Sequence, residues 1–222
     1  MATRITSGGR FVRGEGEEIT RIFLWRHPEV RGVSEGRVYG QKDVALTRKG
    51  ERQAKAIAKF MADYELAAIY CSDLQRCRLP AELVGRRQRT RLVPTVMQEL
   101  RELNLGIWEG LTLSEIEERF PGELAKRYEQ LATYKIEEGE SLTELAERVV
   151  PVFQEIVAAN KGKQVCVISH AGVNRVFICR IMGAPLERVF RIDQEFACLN
   201  IIDVFSDGMP VIRRLNHLIE GL

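Results

Sequence analysis

In the stretch IFLWRH, residues 22–27, a run of four apolar residues is followed by an arginine and a histidine. Such a run is too short for a buried helix and lacks the alternation of a half-exposed strand, so it predicts a strand buried on both faces. Residues 67–70 and 165–168 form similar runs, and helical spacing appears between them, as in residues 47–61. This alternation predicts an α/β three-layer sandwich with a mostly parallel central sheet flanked by helices.

Local signals further along the chain mark two helix starts and a hairpin. In a Ser/Thr-x-x-Glu capping box, the hydroxyl and the glutamate bond amides that the helix leaves free. The boxes pair Thr112 with Glu115 and Ser141 with Glu144. Near the C-terminus, residues 198–205 and 211–215 flank a Ser-Asp-Gly turn, which predicts an antiparallel hairpin on the sheet edge.

The composition excludes several classes of partner. Of the 222 residues, 33 are Lys or Arg and 31 are Asp or Glu, which gives a net charge of +2. Because positive and negative charges are nearly equal in number, the composition predicts no broad contact surface for nucleic acid or for an anionic membrane. No segment approaches the roughly 18 continuous apolar residues of a membrane span. Functional charge is therefore expected to be local.

Residues 1–18 are polar and lack the apolar core of a secretory signal. We predict that they form a flexible N-terminal extension, followed by one domain over residues 19–222. The five cysteines show no CxxC or other close metal-ligand spacing, which favours reduced, buried thiols in a cytoplasmic protein. The three histidines are also well separated, so the sequence predicts no metal site.

Two of the three histidines lie at predicted strand exits. His27 follows Arg26 after the first strand, His170 follows the third strand, and Arg76 comes shortly after the second. Ligands of an open parallel sheet bind outside the carboxyl ends of its strands, so these side chains are expected to share one site. Guanidinium groups match tetrahedral oxyanions, and histidine can act as a nucleophile near neutral pH, which favours a phosphoryl site. His217 lies beyond the last predicted strand, and we expect it to be a solvated surface residue.

A departing alcohol must be protonated, so the site also requires an acid. Residues 99–110 contain Glu99, Glu102 and Glu109 without helical or strand periodicity, which favours a loop across the site. Spacing alone does not choose among the three.

Five motifs occur in order along the chain: LWRHPE (24–29), GRVYG (36–40) with D-x-x-LT-x-x-G (43–50), SDLQR (72–76), LRE (100–102) with WEG (108–110), and VISHAGV (167–173). Together they resemble the phosphoglycerate mutase-like branch of the histidine phosphatase superfamily, over about residues 20–217. The resemblance implies that His27 is the phosphorylated nucleophile and Glu102 the proton donor. It also implies that Arg26, Arg76 and His170 complete a phosphate pocket, with no metal and no cofactor.

The chain departs from the family pattern at several positions. Pro28 replaces a glycine, Val30 a Ser or Thr, and Val33 an asparagine, which removes polar contacts to phosphate. Pro80 would suit a helix that begins near Leu79 and would disrupt one that begins earlier.

The resemblance favours metal-independent hydrolysis of a small phosphorylated metabolite. Related mutases carry a longer basic insertion than residues 111–138, and the stretch GES (139–141) resembles small phosphatases such as the α-ribazole phosphatase group. Two alternatives stay open: phosphoglycerate mutase-type transfer, and a catalytically weak relative that binds a phosphometabolite. We expect specificity to lie in residues 111–138 and 31–39. The sequence leaves the substrate and the oligomeric state open, and it is compatible with a homodimer.

Overall fold

The computed structural model describes residues 4–5, 11–12 and 18–219 of the chain. The strands are β1 Arg4–Ile5, β2 Phe11–Val12, β3 Ile19–Arg26, β4 Ala68–Cys71, β5 Thr95–Val96, β6 Gln164–Ser169, β7 Leu199–Phe205 and β8 Pro210–His217. The helices are α1 Arg48–Met61, α2 Gln75–Arg87, α3 Leu113–Arg119, α4 Glu123–Glu129, α5 Leu142–Ala159 and α6 Ala171–Met182.

Six strands form the central sheet, in the order β5-β4-β6-β3-β7-β8. The first four run parallel to their neighbours, whereas β7 is antiparallel to β3 and β8 is antiparallel to β7. The predicted mostly parallel sheet and its C-terminal edge hairpin are therefore confirmed. The sequence did not indicate β5, because its two residues are exposed and lie outside any apolar run.

The central strands bury both faces, which produces three layers. On β3, Ile22 and Leu24 belong to the core that includes α5 and α6, while Phe23 and Trp25 belong to the core with α1 and α2. All four side chains are fully buried. A strand covered on both sides needs no polar alternation, so the continuous apolar run correctly predicted this position.

Both predicted capping boxes are formed, at the starts of α3 and α5. Helix α2 begins at Gln75 and continues unbroken through Pro80, contrary to the disruption expected for such an early start. Pro80 lacks the amide that would bond the Arg76 carbonyl, but Ala81 and Val84 are buried beyond it in the core shared with α1. Tertiary packing thus outweighs one missing helical bond.

Strands β1 and β2 pair antiparallel, with Ile5 opposite Phe11. Residues 1–3, 6–10 and 13–17 lie outside the described residues, so the flexible extension over residues 1–18 stays a prediction. His217 is exposed as predicted, but it is the last residue of β8 rather than part of a tail, because the β7 pairing extends to it. All five cysteines are free and buried. Within the described part of the chain, every helix is too short or too polar to cross a membrane.

Candidate active site

The register between β3 and β6 brings the two strand-exit histidines together. Arg26 lies opposite Ser169 in this parallel pair, and the His27 amide donates to the Ser169 carbonyl at 2.8 Å. The next residue on each strand is therefore a histidine, and the ring centroids of His27 and His170 lie 5.1 Å apart. The convergence expected from the strand ends is thus present in the structure.

A cavity of about 310 Å³ opens beside these rings. Its wall includes Arg26, His27, Arg76 and Glu102, four of the five residues that the sequence nominated. The fifth, His170, is fully buried and contacts the Arg76 guanidinium, whose Nε donates to His170 Nδ1 at 3.3 Å. The five side chains therefore form one cluster.

The His27 ring is held in one neutral tautomer. Its Nδ1 lies 2.7 Å from the Pro28 carbonyl oxygen, which can only accept, so Nδ1 carries the proton and Nε2 carries the lone pair. Burial, followed by the charges of Arg76 and Arg26, holds the pKa of His27 well below its ordinary value. Pro28 has lost an amide donor but keeps the carbonyl that orients the ring.

His170 is also neutral, and burial followed by the charge of Arg76 holds its pKa well below the usual range. Since Arg76 Nε can only donate, His170 Nδ1 accepts and Nε2 carries the proton. The Cys77 Sγ lies 3.5 Å from that Nε2. Two uncharged imidazoles therefore lie beside two guanidinium groups, which gives the cluster a positive potential.

Backbone carbonyls position the Arg76 guanidinium. Arg76 Nη2 donates to Gly40 O at 2.5 Å, and Nη1 donates to Lys42 O at 2.9 Å. The Glu109 carboxylate accepts from the amides of Gly40, Gln41 and Lys42 and so fixes the loop that carries both carbonyls. Each terminal nitrogen of Arg76 keeps one further N–H for a ligand.

Arg26 has a donor without an acceptor. Its guanidinium lies 3.6 Å from the centroid of the Phe196 ring, and Nη1 donates to Gln194 O at 2.5 Å. Its Nε is shielded from solvent and finds no acceptor within residues 18–219. Burial lowers the pKa of Arg26 to about 10, although the charge of Glu102 opposes this shift. A buried donor of this kind is suited to an incoming oxyanion.

A buried amide network holds the Gln194 carbonyl in place. Gln194 Oε1 accepts from Asn174 Nδ2 at 3.0 Å and from Asn200 Nδ2 at 2.8 Å. Asn200 Nδ2 lies 3.2 Å from the Leu24 carbonyl oxygen on β3, to which it also donates. The network therefore joins α6, β7 and β3 behind Arg26.

The structure distinguishes the three glutamates of the 99–110 loop. Glu102 lines the cavity, and its carboxylate accepts from the amides of Leu103 and Gly172 at 2.9 and 3.1 Å. Glu109 is turned toward loop amides, and Glu99 contributes its carbonyl to Arg148. A side chain at Gly172 would collide with the Glu102 carboxylate, so a substitution there would have to displace Glu102 from this contact.

Sequence reasoning missed several residues that shape the site. Arg175, Val189, Phe190 and Phe196 line the cavity from the chain after His170, where no motif marked them. Among the segments expected to set specificity, residues 31–39 contribute Val33, Arg37, Val38 and Tyr39, and residues 111–138 contribute Arg127. Val30 and Val33 present apolar groups to the cavity, as their departure from the family pattern implied.

No group of three or more His, Cys, Asp or Glu side chains suited to a metal ion occurs in the described part of the chain. The donors around the cavity are instead guanidinium, imidazole and amide groups. Such a donor set binds anions.

A family model for the histidine phosphatase superfamily, branch 1, matches residues 22–217. The chain belongs to this superfamily. It is a phosphoric monoester hydrolase of the phosphoglycerate mutase-like branch, and the family relationship inferred from its motifs is confirmed.

Several relatives of this histidine phosphatase match over most of their length. The metal-independent phosphoserine phosphatase of Arabidopsis thaliana is 32% identical, with 86% of this chain and 82% of the relative covered. Phosphoserine phosphatase 1 of Hydrogenobacter thermophilus is 26% identical, with 89% and 92% covered. The solved structure of mycobacterial glucosyl-3-phosphoglycerate phosphatase aligns with a TM-score of 0.81 at 26% identity, covering 90% of this chain and 100% of that one.

Proposed function

We propose that this phosphatase hydrolyses small phosphomonoesters through a phosphohistidine at His27, without a metal ion. The observation that carries the proposal is the lone pair on His27 Nε2, fixed by the Pro28 carbonyl in a cavity that also contains Arg26, Arg76 and Glu102. A neutral imidazole with a defined tautomer is a competent nucleophile.

In the first step, His27 Nε2 forms a bond to phosphorus as the ester P–O bond breaks. Glu102 delivers its proton to the departing alcohol oxygen. The remaining N–H groups of Arg26 and Arg76 bond the equatorial oxygens, where negative charge collects in the transition state. Fixed cations can therefore supply the electrostatic stabilisation that other phosphoryl-transfer sites obtain from a metal.

In the second step, water attacks the phosphohistidine. Glu102 takes a proton from the water as its oxygen bonds phosphorus and the N–P bond breaks. The products are inorganic phosphate and the original neutral imidazole. The acid of the first step thus becomes the base of the second.

The decisive experiment is turnover of p-nitrophenyl phosphate in the presence of EDTA. We expect full activity of the wild type and a loss of at least about a thousandfold in His27→Ala, because the nucleophile is removed. His217→Ala is the matched control, since this histidine is exposed at the end of β8, and its activity should equal that of the wild type.

Two results would contradict the proposal: retained activity in His27→Ala, or loss of wild-type activity in EDTA. Rapid-quench capture of a phosphorylated protein, stable to base and labile to acid, would support the intermediate independently. His27→Ala should not accumulate it.

A second candidate, a weakly catalytic phosphometabolite-binding protein, is favoured by the apolar groups that Val30 and Val33 present to the cavity. It predicts a thermal shift with vanadate but only slow phosphate release from every ester. Burst kinetics would exclude this candidate.

A further inference from the structure

The end of α2 and the loop after it are rich in arginine. Residues 77–96 contain five arginines and one acidic residue, Glu82, although the net charge of the whole chain is only +2. Four of these arginines lie in residues 86–91, the arginine loop: Arg86, Arg87, Arg89 and Arg91. All four are exposed to solvent. The charge balance of the whole chain therefore does not exclude a local positive surface.

Hydrogen bonds hold the arginine loop in place. The Leu92 amide donates to the Gly85 carbonyl at 3.1 Å, so the two ends of the loop meet. The Gln88 side chain accepts from the Leu66 amide at 3.2 Å and donates to the Met61 carbonyl at 3.0 Å. Gln88 is half-buried, whereas the rest of the loop is exposed. The backbone that carries the arginines is therefore fixed, and a partner needs to order little more than side chains when it binds.

Little negative charge from the chain itself compensates these arginines. The Glu82 carboxylate lies 3.4 Å from the Arg86 guanidinium and 3.7 Å from that of Arg78, so two cations share one anion. Within the described part of the chain, three members of the loop form no ion pair: Arg87, Arg89 and Arg91. Ion pairs as exposed as those of Glu82 contribute little to stability. The loop can therefore pair with negative groups of a partner.

A second cavity, of about 320 Å³, lies beside the arginine loop. The arginines that line it are Arg78, Arg86 and Arg91, and its apolar lining includes Val93, Pro94 and Val96. Val93 and Val96 are 81% and 49% exposed, and β5, which contains Val96, is an edge strand of the central sheet. No residue lines both this cavity and that of the candidate active site. The surface thus offers aliphatic contacts beside positive charge, apart from the proposed chemistry.

The side chains present favour a protein partner over a nucleic acid or a membrane. Single-stranded nucleic acid is held largely by aromatic side chains that stack on its bases, and residues 77–96 contain none. The same lack disfavours a membrane surface, where peripheral segments commonly insert Trp or Phe. Arginine is enriched in protein interfaces, and its guanidinium matches a carboxylate with two parallel hydrogen bonds. A symmetric contact between two copies of this chain would bring the two arginine loops together, which like charge opposes.

We infer that the arginine loop and the adjacent cavity bind an acidic peptide segment of a partner protein. Carboxylates of the segment pair with Arg89 and Arg91, and an aliphatic side chain between them enters the cavity against Val93. Neither contact involves a residue of the proposed mechanism, so this binding site does not depend on the proposed function.

Fluorescence anisotropy with a labelled peptide, one leucine between two runs of four glutamates, tests the inference. In Arg89→Gln/Arg91→Gln, we expect the affinity to fall about 3- to 30-fold, because two exposed charge contacts are lost. Val93→Ser should weaken binding of this peptide more than binding of a second peptide in which serine replaces leucine, because only the first has an aliphatic contact to lose. The affinity of the wild type should fall as the salt concentration rises.

Lys161→Gln/Arg180→Gln is the matched control, because it removes two exposed positive charges from another surface. Arg180 lies on α6, which packs with α5 on the sheet face opposite to α1 and α2. This variant should bind the peptide as the wild type does. All variants should keep the wild-type melting temperature, since each changed side chain is exposed.

Several outcomes would overturn the inference. No binding of the leucine peptide by the wild type would reject it, as would equal losses in Arg89→Gln/Arg91→Gln and in the control. Tighter binding of a labelled oligouridylate, or of vesicles containing phosphatidylserine, would assign the loop to a nucleic acid or to a membrane. A wild-type dimer that Arg89→Gln/Arg91→Gln dissociates in sedimentation equilibrium would assign it to a second copy of the chain.

Discussion

His27 and His170 show how single residues prepare the site. Both rings are buried beside guanidinium groups that hold their pKa values low. The Pro28 carbonyl fixes the His27 proton on Nδ1, and the Arg76 Nε donor requires a lone pair on His170 Nδ1. The charged imidazolium is disfavoured by desolvation and by like charge, so neutrality is a consequence of position. The proposed nucleophile, His27, is therefore unprotonated at Nε2 before any substrate arrives.

This neutrality predicts how stability depends on pH. The folded-state pKa of both histidines lies below the unfolded value of about 6.5, so the unfolded chain binds protons that the native protein excludes. The stabilising contribution is fully present above this pH and falls as the pH drops below it. Each histidine contributes a slope of up to about 1.4 kcal/mol per pH unit, measurable by urea unfolding between about pH 7.5 and 5.

The control is His27→Gln, which removes one titrating group from the cluster. Its free energy of unfolding should vary less steeply with pH, by up to about 1.4 kcal/mol per unit. A slope identical to that of the wild type would show that His27 is protonated in the native state.

At the scale of elements, charged side chains hold the two loops that carry the site. The Glu109 carboxylate accepts from three amides of residues 40–42, the loop whose carbonyls accept from Arg76. Arg148, on α5, donates to the carbonyls of Glu99, Arg101 and Glu102 and pairs with Glu140, whose carboxylate also accepts from the Asn104 amide. The 99–110 loop is thus attached to α5, so the position of Glu102 depends on a helix that supplies no group of the proposed mechanism.

We predict that Arg148→Gln lowers kcat for p-nitrophenyl phosphate about 10- to 100-fold with a smaller change in KM. Displacement of Glu102 by a fraction of an ångström impairs proton transfer more than ground-state binding. Glu147→Gln, an exposed neighbour on α5, should leave both constants unchanged. Arg148→Lys should restore part of kcat, and a pure increase in KM would contradict the positioning role.

At the scale of the whole molecule, a buried ion cluster that stabilises the sheet lies at the opposite end of the strands from the candidate active site. Asp203 on β7 is almost fully buried and accepts from Arg21 on β3 and Arg213 on β8, at 2.7 and 2.8 Å. Arg21 precedes His27 by most of the length of β3. The ion cluster therefore joins three strands at the end of the sheet opposite to the cavity.

We predict that Asp203→Asn lowers the free energy of unfolding by about 1–3 kcal/mol, because it removes the negative charge that Asp203 supplies to two partly buried guanidinium groups. Urea unfolding measures the loss. Asp63→Asn, at an exposed position, should change stability by less than about 0.5 kcal/mol. Both variants should retain wild-type kcat/KM, and an activity loss in Asp203→Asn beyond about twofold would contradict the separation.

The sequence alone was sufficient for the features that depend on local pattern. Continuous apolar runs identify strands covered on both faces, and capping boxes identify helix starts, because each signal lies within a few residues. The residue after each strand also pointed to His27 and His170, since the carboxyl ends of parallel strands necessarily meet at one edge. Long-range geometry enters these inferences only through a general rule of sheet topology.

The family resemblance pointed to Glu102, but only the tertiary structure showed that this glutamate, and Arg127 among the basic residues of 111–138, line the cavity. Glu102 and Glu109 both lie in the 99–110 loop, yet the Glu102 carboxylate accepts from the Gly172 amide and the Glu109 carboxylate accepts from the Gly40 amide. Likewise, Lys126 and Arg127 are adjacent, and α4 directs one to the surface and the other into the cavity. The physical reason is that a side chain's partner is set by what distant segments place beside it, and spacing along the chain does not encode that contact.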